Sequence, residues 1–184
     1  MSGSGARSWR AWPSCSTASP TKRRNDHARL PGPDDDPADA TTLRVDHFLP
    51  HPPAKVWRAL TEPELLAQWM MPGDFRLTIG HRYEMRTLPR PNSNFSGTVV
   101  AEVVDFEAER MLRLRWRDAD EGQGNRADWT LTWTLEPEGR GTRLFLVHEG
   151  FDPDDPYQVQ AHRIMGGGWR SIVTDALGKV LNKM

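Results

Sequence analysis

Through the middle of the chain apolar and polar positions alternate; at its end they switch to a helical spacing. Trp129, Leu131, Trp133 and Leu135 fall on one side of a period of two, with Thr130, Thr132 and Thr134 on the other. Leu112, Leu114 and Trp116 alternate in the same way with Arg113, Arg115 and Arg117. Successive side chains of a strand point to opposite faces, so the pattern predicts strands with one buried and one wet face. Threonine and arginine on the wet face argue against a second layer there. Residues 43–49 read as a strand stopped by Pro50, Pro52 and Pro53, and residues 143–149 as another, after a turn at Gly139-Arg140-Gly141. Residues 75–79 and 81–88 are predicted strands on either side of a turn at Gly80. Residues 95–105 are long enough to need a bulge or bend, for which Gly97 is the candidate.

Helical spacing appears in two places. Val56, Trp57 and Leu60 repeat behind Pro53, which suits a first turn. Thr61 and Glu64 have the spacing of a capping box, with Pro63 inside the first turn, so a second short helix runs to about Trp69 before Pro72 and Gly73. Near the end, Trp169, Ile172, Val173, Ala176, Leu177, Val180 and Leu181 follow the i, i+3, i+4, i+7 rule. This closing helix, starting between Tyr157 and Trp169, must bury its stripe, and the apolar sheet face is the available partner. The order predicts an α+β domain. A curved antiparallel sheet of about six or seven strands grips a long C-terminal helix, with two short helices after the first strand. Such a shape tends to leave an apolar hollow.

Composition narrows the possibilities. A chain of 184 residues is long enough for one domain with a real core. A formal net charge of -1 gives no basic domain, so nothing favours nucleic acid. The single cysteine, Cys15, excludes an internal disulfide and fits a reducing compartment. No apolar run approaches the roughly 20 residues that span a bilayer, and no secretory h-region follows Met1. The expectation is a soluble, cytoplasmic protein without membrane insertion. Residues 1–41 are rich in Ser, Pro, Gly and Arg without apolar period, and are expected to form a disordered or dispensable tail before a domain at 42–184. The acid-poor opening stretch superficially matches a transit peptide, but Pro13 and Pro20 interrupt any amphipathic helix. Of the eight tryptophans, Trp9 and Trp12 lie in the tail; the others fall between Trp57 and Trp169 and imply a bulky core or an aromatic-lined cavity.

Several segments in order resemble the bacterial single-domain branch of the activator of heat-shock protein 90 ATPase homologue family. They are Val56-Trp57-Arg58-Ala59-Leu60-Thr61-Glu62-Pro63-Glu64-Leu65 with Trp69; Gly80 before Tyr83; and Glu109-Arg110-Met111-Leu112 leading to Trp116. Gly141-Thr142-Arg143-Leu144 through His148-Glu149-Gly150-Phe151, and Gly168-Trp169 with Ile172 and Leu177, complete the set. The resemblance covers about residues 42–183. It implies the SRPBCC superfamily and its helix-grip fold, shared with START and birch-pollen-allergen domains. Eukaryotic members carry a separate N-terminal chaperone-binding domain; here that position holds only the short tail, so a chaperone partner is weakly supported.

Candidate chemistry centres on His148, which shares a strand face with Thr142, Leu144 and Leu146. Facing inward, it reaches the hollow and can orient or deprotonate a ligand; the alternative is a core histidine bonded to a neighbour. Tyr83 and Met85 share an inner face elsewhere. Trp69, Trp116, Trp133, Phe151 and Trp169 are candidates for an aromatic wall, the usual lining of a small-molecule pocket. Asp152, Asp154 and Asp155 lack the loop spacing of a calcium site and read as a capped, solvated loop. The histidines show no metal spacing, and Gly166-Gly167-Gly168 lacks the lysine and hydroxyl pair of a phosphate loop, so no metal or cofactor is expected. Ser171 has no nucleophile-elbow context. The expected function is binding of a small hydrophobic ligand, lipid or polyketide-like. A polyketide cyclase or aromatase-like enzyme in the same pocket, and a chaperone-interacting or regulatory protein, are the alternatives. Glu149 points away from His148 and no acid partner is evident, which favours binding.

Overall fold

The computed structural model describes residues 39–87, 95–119 and 127–184. The expected tail lies outside them except for its last positions. One antiparallel sheet runs in the order β1 (Thr42–Leu49), β6 (Gly141–Glu149), β5 (Asp128–Glu138), β4 (Met111–Asp118), β3 (Thr98–Glu107), β2 (Arg82–Arg86). Helices α1 (Pro53–Thr61) and α2 (Pro63–Trp69) follow β1. The closing rod consists of α3 (Pro156–Ser171), a π-helical segment (Ile172–Leu177) and α4 (Gly178–Leu181). This is the predicted α+β arrangement of a sheet around a C-terminal helix. None of the described helices is long and apolar enough to cross a membrane.

The alternation in β4 and β5 is realised in the register. Leu112 faces Trp133, Leu114 faces Leu131 and Trp116 faces Trp129 across the ladder. All six side chains are buried. The other face carries the arginines, and Asp128 answers two of them. Arg115 grips it through Nε and a terminal nitrogen at 2.6 and 2.5 Å, and Arg117 Nε lies at 3.2 Å. These charge-assisted hydrogen bonds, led by that from Arg115, hold the Asp128 carboxyl at about 2. Arg143 pairs with Asp46 on the same face.

Three local expectations need correction. Residues 75–79 form no strand; ahead of β2 the chain bridges its free edge between Gly73 and Met85. A Cβ on Gly73 would stand 2.6 Å from the Glu84 carbonyl, so glycine alone permits this approach. Phe75 still turns inward and packs edge-on against Tyr83 at 5.3 Å. The irregularity in β3 falls between Val103 and Asp105, not at Gly97, whose φ of 88° instead sets the start of the strand. Thr61 does not cap α2. It ends α1, where its hydroxyl donates to the Trp57 carbonyl at 2.8 Å, and Glu62 is the residue before α2. The turn at Gly139-Arg140 is as expected, with Gly139 at a φ of 59°, the conformation a two-residue hairpin demands of its first residue.

The rod contains a repeat that a plain α-helix does not keep in line. Trp169, Val173, Leu177 and Leu181 recur every fourth residue and each is 0% exposed. An α-helix turns about 100° per residue, so a four-residue repeat drifts by about 40° at each step. The wider i→i+5 winding over Ile172–Leu177 removes part of that drift. All four side chains therefore stay on the buried face.

Candidate functional site

His148 is an inward residue of β6, between Leu43 of β1 and Leu131 of β5. Trp169 descends on it from α3, and its indole Nε1–H donates to His148 Nδ1 at 2.9 Å. A ring nitrogen that accepts carries no proton, so in the neutral imidazole the proton sits on Nε2. That nitrogen is buried and has no hydrogen-bond partner among the described residues. Aromatic rings enclose it: Phe151, Trp129, Trp169 and Trp116 have centroids 4.7, 5.3, 5.9 and 6.3 Å from the imidazole. Burial, then the charge of His162, lowers the His148 pKa to about 3. At neutral pH the residue is therefore a fixed N–H donor rather than a base.

The enclosure is itself braced. Trp129 Nε1–H donates to Gln158 Oε1 at 3.0 Å, and the same oxygen accepts the Asp152 N–H at 3.0 Å. Asp155 caps α3 by accepting the Tyr157 N–H at 2.9 Å, and Asp152 accepts the Asp154 N–H at 2.9 Å. The three aspartates thus form the capped loop expected of them. Phe151 also meets His162 edge-on at 5.1 Å, and His162 Nε2 lies 3.2 Å from the Thr42 carbonyl oxygen. On the other side Trp169 meets Trp133 at 5.7 Å, and Trp133 meets Trp69 at 5.8 Å, both edge to face. Trp69 sends its N–H to the Ala59 carbonyl at 2.9 Å, which ties α2 to α1.

The expected wall thus divides. Trp69, Trp116, Trp133, His148, Phe151 and Trp169 make one chain of ring contacts. Tyr83 and Met85 lie on β2, at the other margin of the sheet; both are buried. Tyr83 shares a cross-strand row with Ala101, Trp116 and Trp129. Its hydroxyl is buried without a partner among the described residues, and burial raises its pKa. Its ring is stacked on His81 at 5.8 Å. β2 and β6 are separated by β3, β4 and β5. At about 4.8 Å per strand step, one small polar group cannot meet both Tyr83 and His148. A groove of about 540 Å³ opens at the β2 margin between Asp74, Arg82, Tyr83, Glu84, Arg86 and Val100. Of the expected site residues, only Tyr83 borders it.

Two residues of the enclosure were not among the sequence candidates. Trp129 shares the alternation that nominated Trp133, and that pattern was sufficient to find it. Gln158 carries no such signal, because its role comes from the loop that folds back over it.

A curved antiparallel sheet closed by a C-terminal helix, with an aromatic interior between them, defines a helix-grip domain of the SRPBCC superfamily. The profile of the family described as Activator of Hsp90 ATPase homolog 1-like protein matches residues 50–182, and the chain belongs to that family. Among solved structures it is similar to protein MLL2253 from Mesorhizobium loti. Identity is 30%, the TM-score 0.67, and the match covers 78% of this chain and 98% of that one. BH1534 from Bacillus halodurans is 26% identical at a TM-score of 0.60, covering 76% of this chain and 96% of that one. CalU16 from Micromonospora echinospora shares the fold at 21% identity and a TM-score of 0.60, over 76% of this chain and 75% of that one. No curated protein matches the chain.

Proposed function

We propose that the protein binds a small hydrophobic molecule between the sheet and the closing helix, in the region lined by Trp69, Trp116, Trp133, His148, Phe151 and Trp169. Tyr83 and Met85 border the same interior from β2. The observation that carries this reading is His148 Nε2–H, a wholly buried donor without a partner among the described residues, ringed by aromatic side chains. Buried polar groups are normally bonded, and one that is not invites a ligand atom. Burial of the ligand's apolar surface, at about 25 cal/mol per Å², would supply most of the affinity. The six lining side chains are buried in this conformation, and uptake through movement of the closing helix is part of this reading. Trp169 stands between Gly166-Gly167-Gly168 and the π-helical segment, both weak stretches of helix.

The acid–base alternative has less support. Nδ1 is occupied by Trp169, and the depressed pKa leaves the ring a poor proton acceptor at neutral pH. A surface-partner role has less support as well. The exposed large apolar side chains among the described residues are Phe48, Ile79, Val104, Tyr157 and Met184, scattered over separate elements. Native mass spectrometry of the purified full chain tests the reading. A bound small molecule that leaves on activation, and that competes with an added apolar dye, is the expected result. A protein of bare mass that takes up no apolar probe would refute it.

A further inference from the structure

Resting on the binding role just proposed, we infer that the ligand is electrically neutral where it is buried and places a carbonyl-type oxygen on His148 Nε2–H, so that carboxylates of the same shape are rejected. The direction of the hydrogen bond comes from Trp169. Its indole can only donate, so Nδ1 must accept and Nε2 must be the donor. The ligand atom meeting Nε2–H is therefore an acceptor.

Neutrality comes from what surrounds that donor. The rings of Phe151, Trp129, Trp169 and Trp116 offer no positive charge. The buried polar or charged side chains of the described residues are Asp118, Thr142, His148 and Gln158, together with the Tyr83 hydroxyl, and none is a lysine or arginine. The arginines of β4 point to the other face, where Arg115 and Arg117 are already held by Asp128. His162, whose charge acts on His148, touches the Phe151 ring and directs Nε2 to the Thr42 carbonyl rather than to the His148 donor. A carboxylate entering this enclosure would lose its hydration and gain one neutral hydrogen bond, whereas a ketone or ester loses far less. A free fatty acid with its head inward is thereby disfavoured. A neutral polycyclic or long-chain carbonyl compound fits.

A matched series on one ring system tests this: 2-acetylnaphthalene, 2-naphthoate and 2-ethylnaphthalene, titrated at pH 7 into the full chain by calorimetry and tryptophan quenching. The ketone is expected to bind about a hundredfold or more tighter than the carboxylate, and about tenfold tighter than the hydrocarbon. The ¹⁵N-bound proton of His148 Nε2 should shift on adding the ketone alone. His148→Gln retains an acceptor for Trp169 and a donor for the ligand and should keep the preference for ketone over hydrocarbon, while His148→Leu should lose it. Naphthoate binding as tightly as the ketone would overturn the inference and leave the binding role standing. Hydrocarbon binding as tightly as the ketone, with no Nε2 shift, would overturn the part assigned to His148. Failure of all three probes to bind counts against the binding role itself.

Discussion

At opposite margins of the interior, two polar atoms are buried without hydrogen-bond partners among the described residues, and their surroundings differ in kind. His148 is held by a hydrogen bond from Trp169, so its free nitrogen has one direction and one role. Tyr83 is wedged between Phe75 and His81 by ring contacts alone. Its hydroxyl can rotate, and can donate or accept. Burial acts on both, lowering the imidazole pKa and raising that of the phenol, so each is pressed towards its neutral form. What separates them is the neighbouring group that orients one and not the other. A buried polar atom becomes a specific recognition element only when its second hydrogen-bonding position is already committed.

The largest expected effect tests the wall around His148. Trp133→Ala should destabilise the protein by about 3–5 kcal/mol in chemical denaturation, because the ring is 1% exposed and packed against Trp69 and Trp169. A loss well below that range would mean that the ring borders open space. Acid titration probes His148 next. An unfolded histidine titrates near 6.5, and the folded one at about 3. Between those values the unfolded chain binds the proton and the native one does not. Stability present above pH 6.5 should therefore fall as the pH drops towards 3, by up to about 1.4 kcal/mol per unit. The His148→Gln variant should lack that component of the slope.

Trp169→Phe should cost about 1–3 kcal/mol by leaving Nδ1 buried and unbonded, with a further loss from the smaller ring. It should also release the imidazole tautomer, which ¹⁵N chemical shifts of His148 report directly. Retention of a single Nε2–H form in that variant would erase the distinction between the two margins. Tyr83→Phe completes the contrast at the small end. Its hydroxyl has no partner among the described residues, so deletion should change stability by less than about 1 kcal/mol, in the stabilising direction. A clear destabilisation would show that the phenol is bonded in solution and that the two margins are alike.

Much of the architecture was legible because β4 and β5 alternate cleanly, and because a gripped helix needs a stripe that the C-terminal residues supply. The inward direction of His148 followed from the same alternation. Its partner did not follow, since Trp169 lies 21 residues away and the contact depends on how far the rod is rotated. The segment at 75–79 misled because Phe75 is apolar and buried, as in a strand, although the bridge to β2 lies before it, at Gly73. Thr61 and Glu64 had the right spacing for a cap, but α1 runs on through Thr61, and the Trp57 carbonyl claims the hydroxyl. The separation of Tyr83 from His148 is a matter of strand order, which hydrophobic period cannot reveal.

The over-wide turn between Ile172 and Leu177 makes the length of the rod a matter of phase. The wide coil holds about one residue more than regular winding would, so excising one there returns the rod to an ordinary helix with α3 and α4 close to their present phase. A second excision has no such slack: everything upstream would swing by about 100°, and the indole would leave the imidazole even though every residue that touches either one was unchanged. Length variation should be tolerated beyond Leu181, where Asn182, Lys183 and Met184 are exposed, and limited inside the loosened coil to the loss of that one residue.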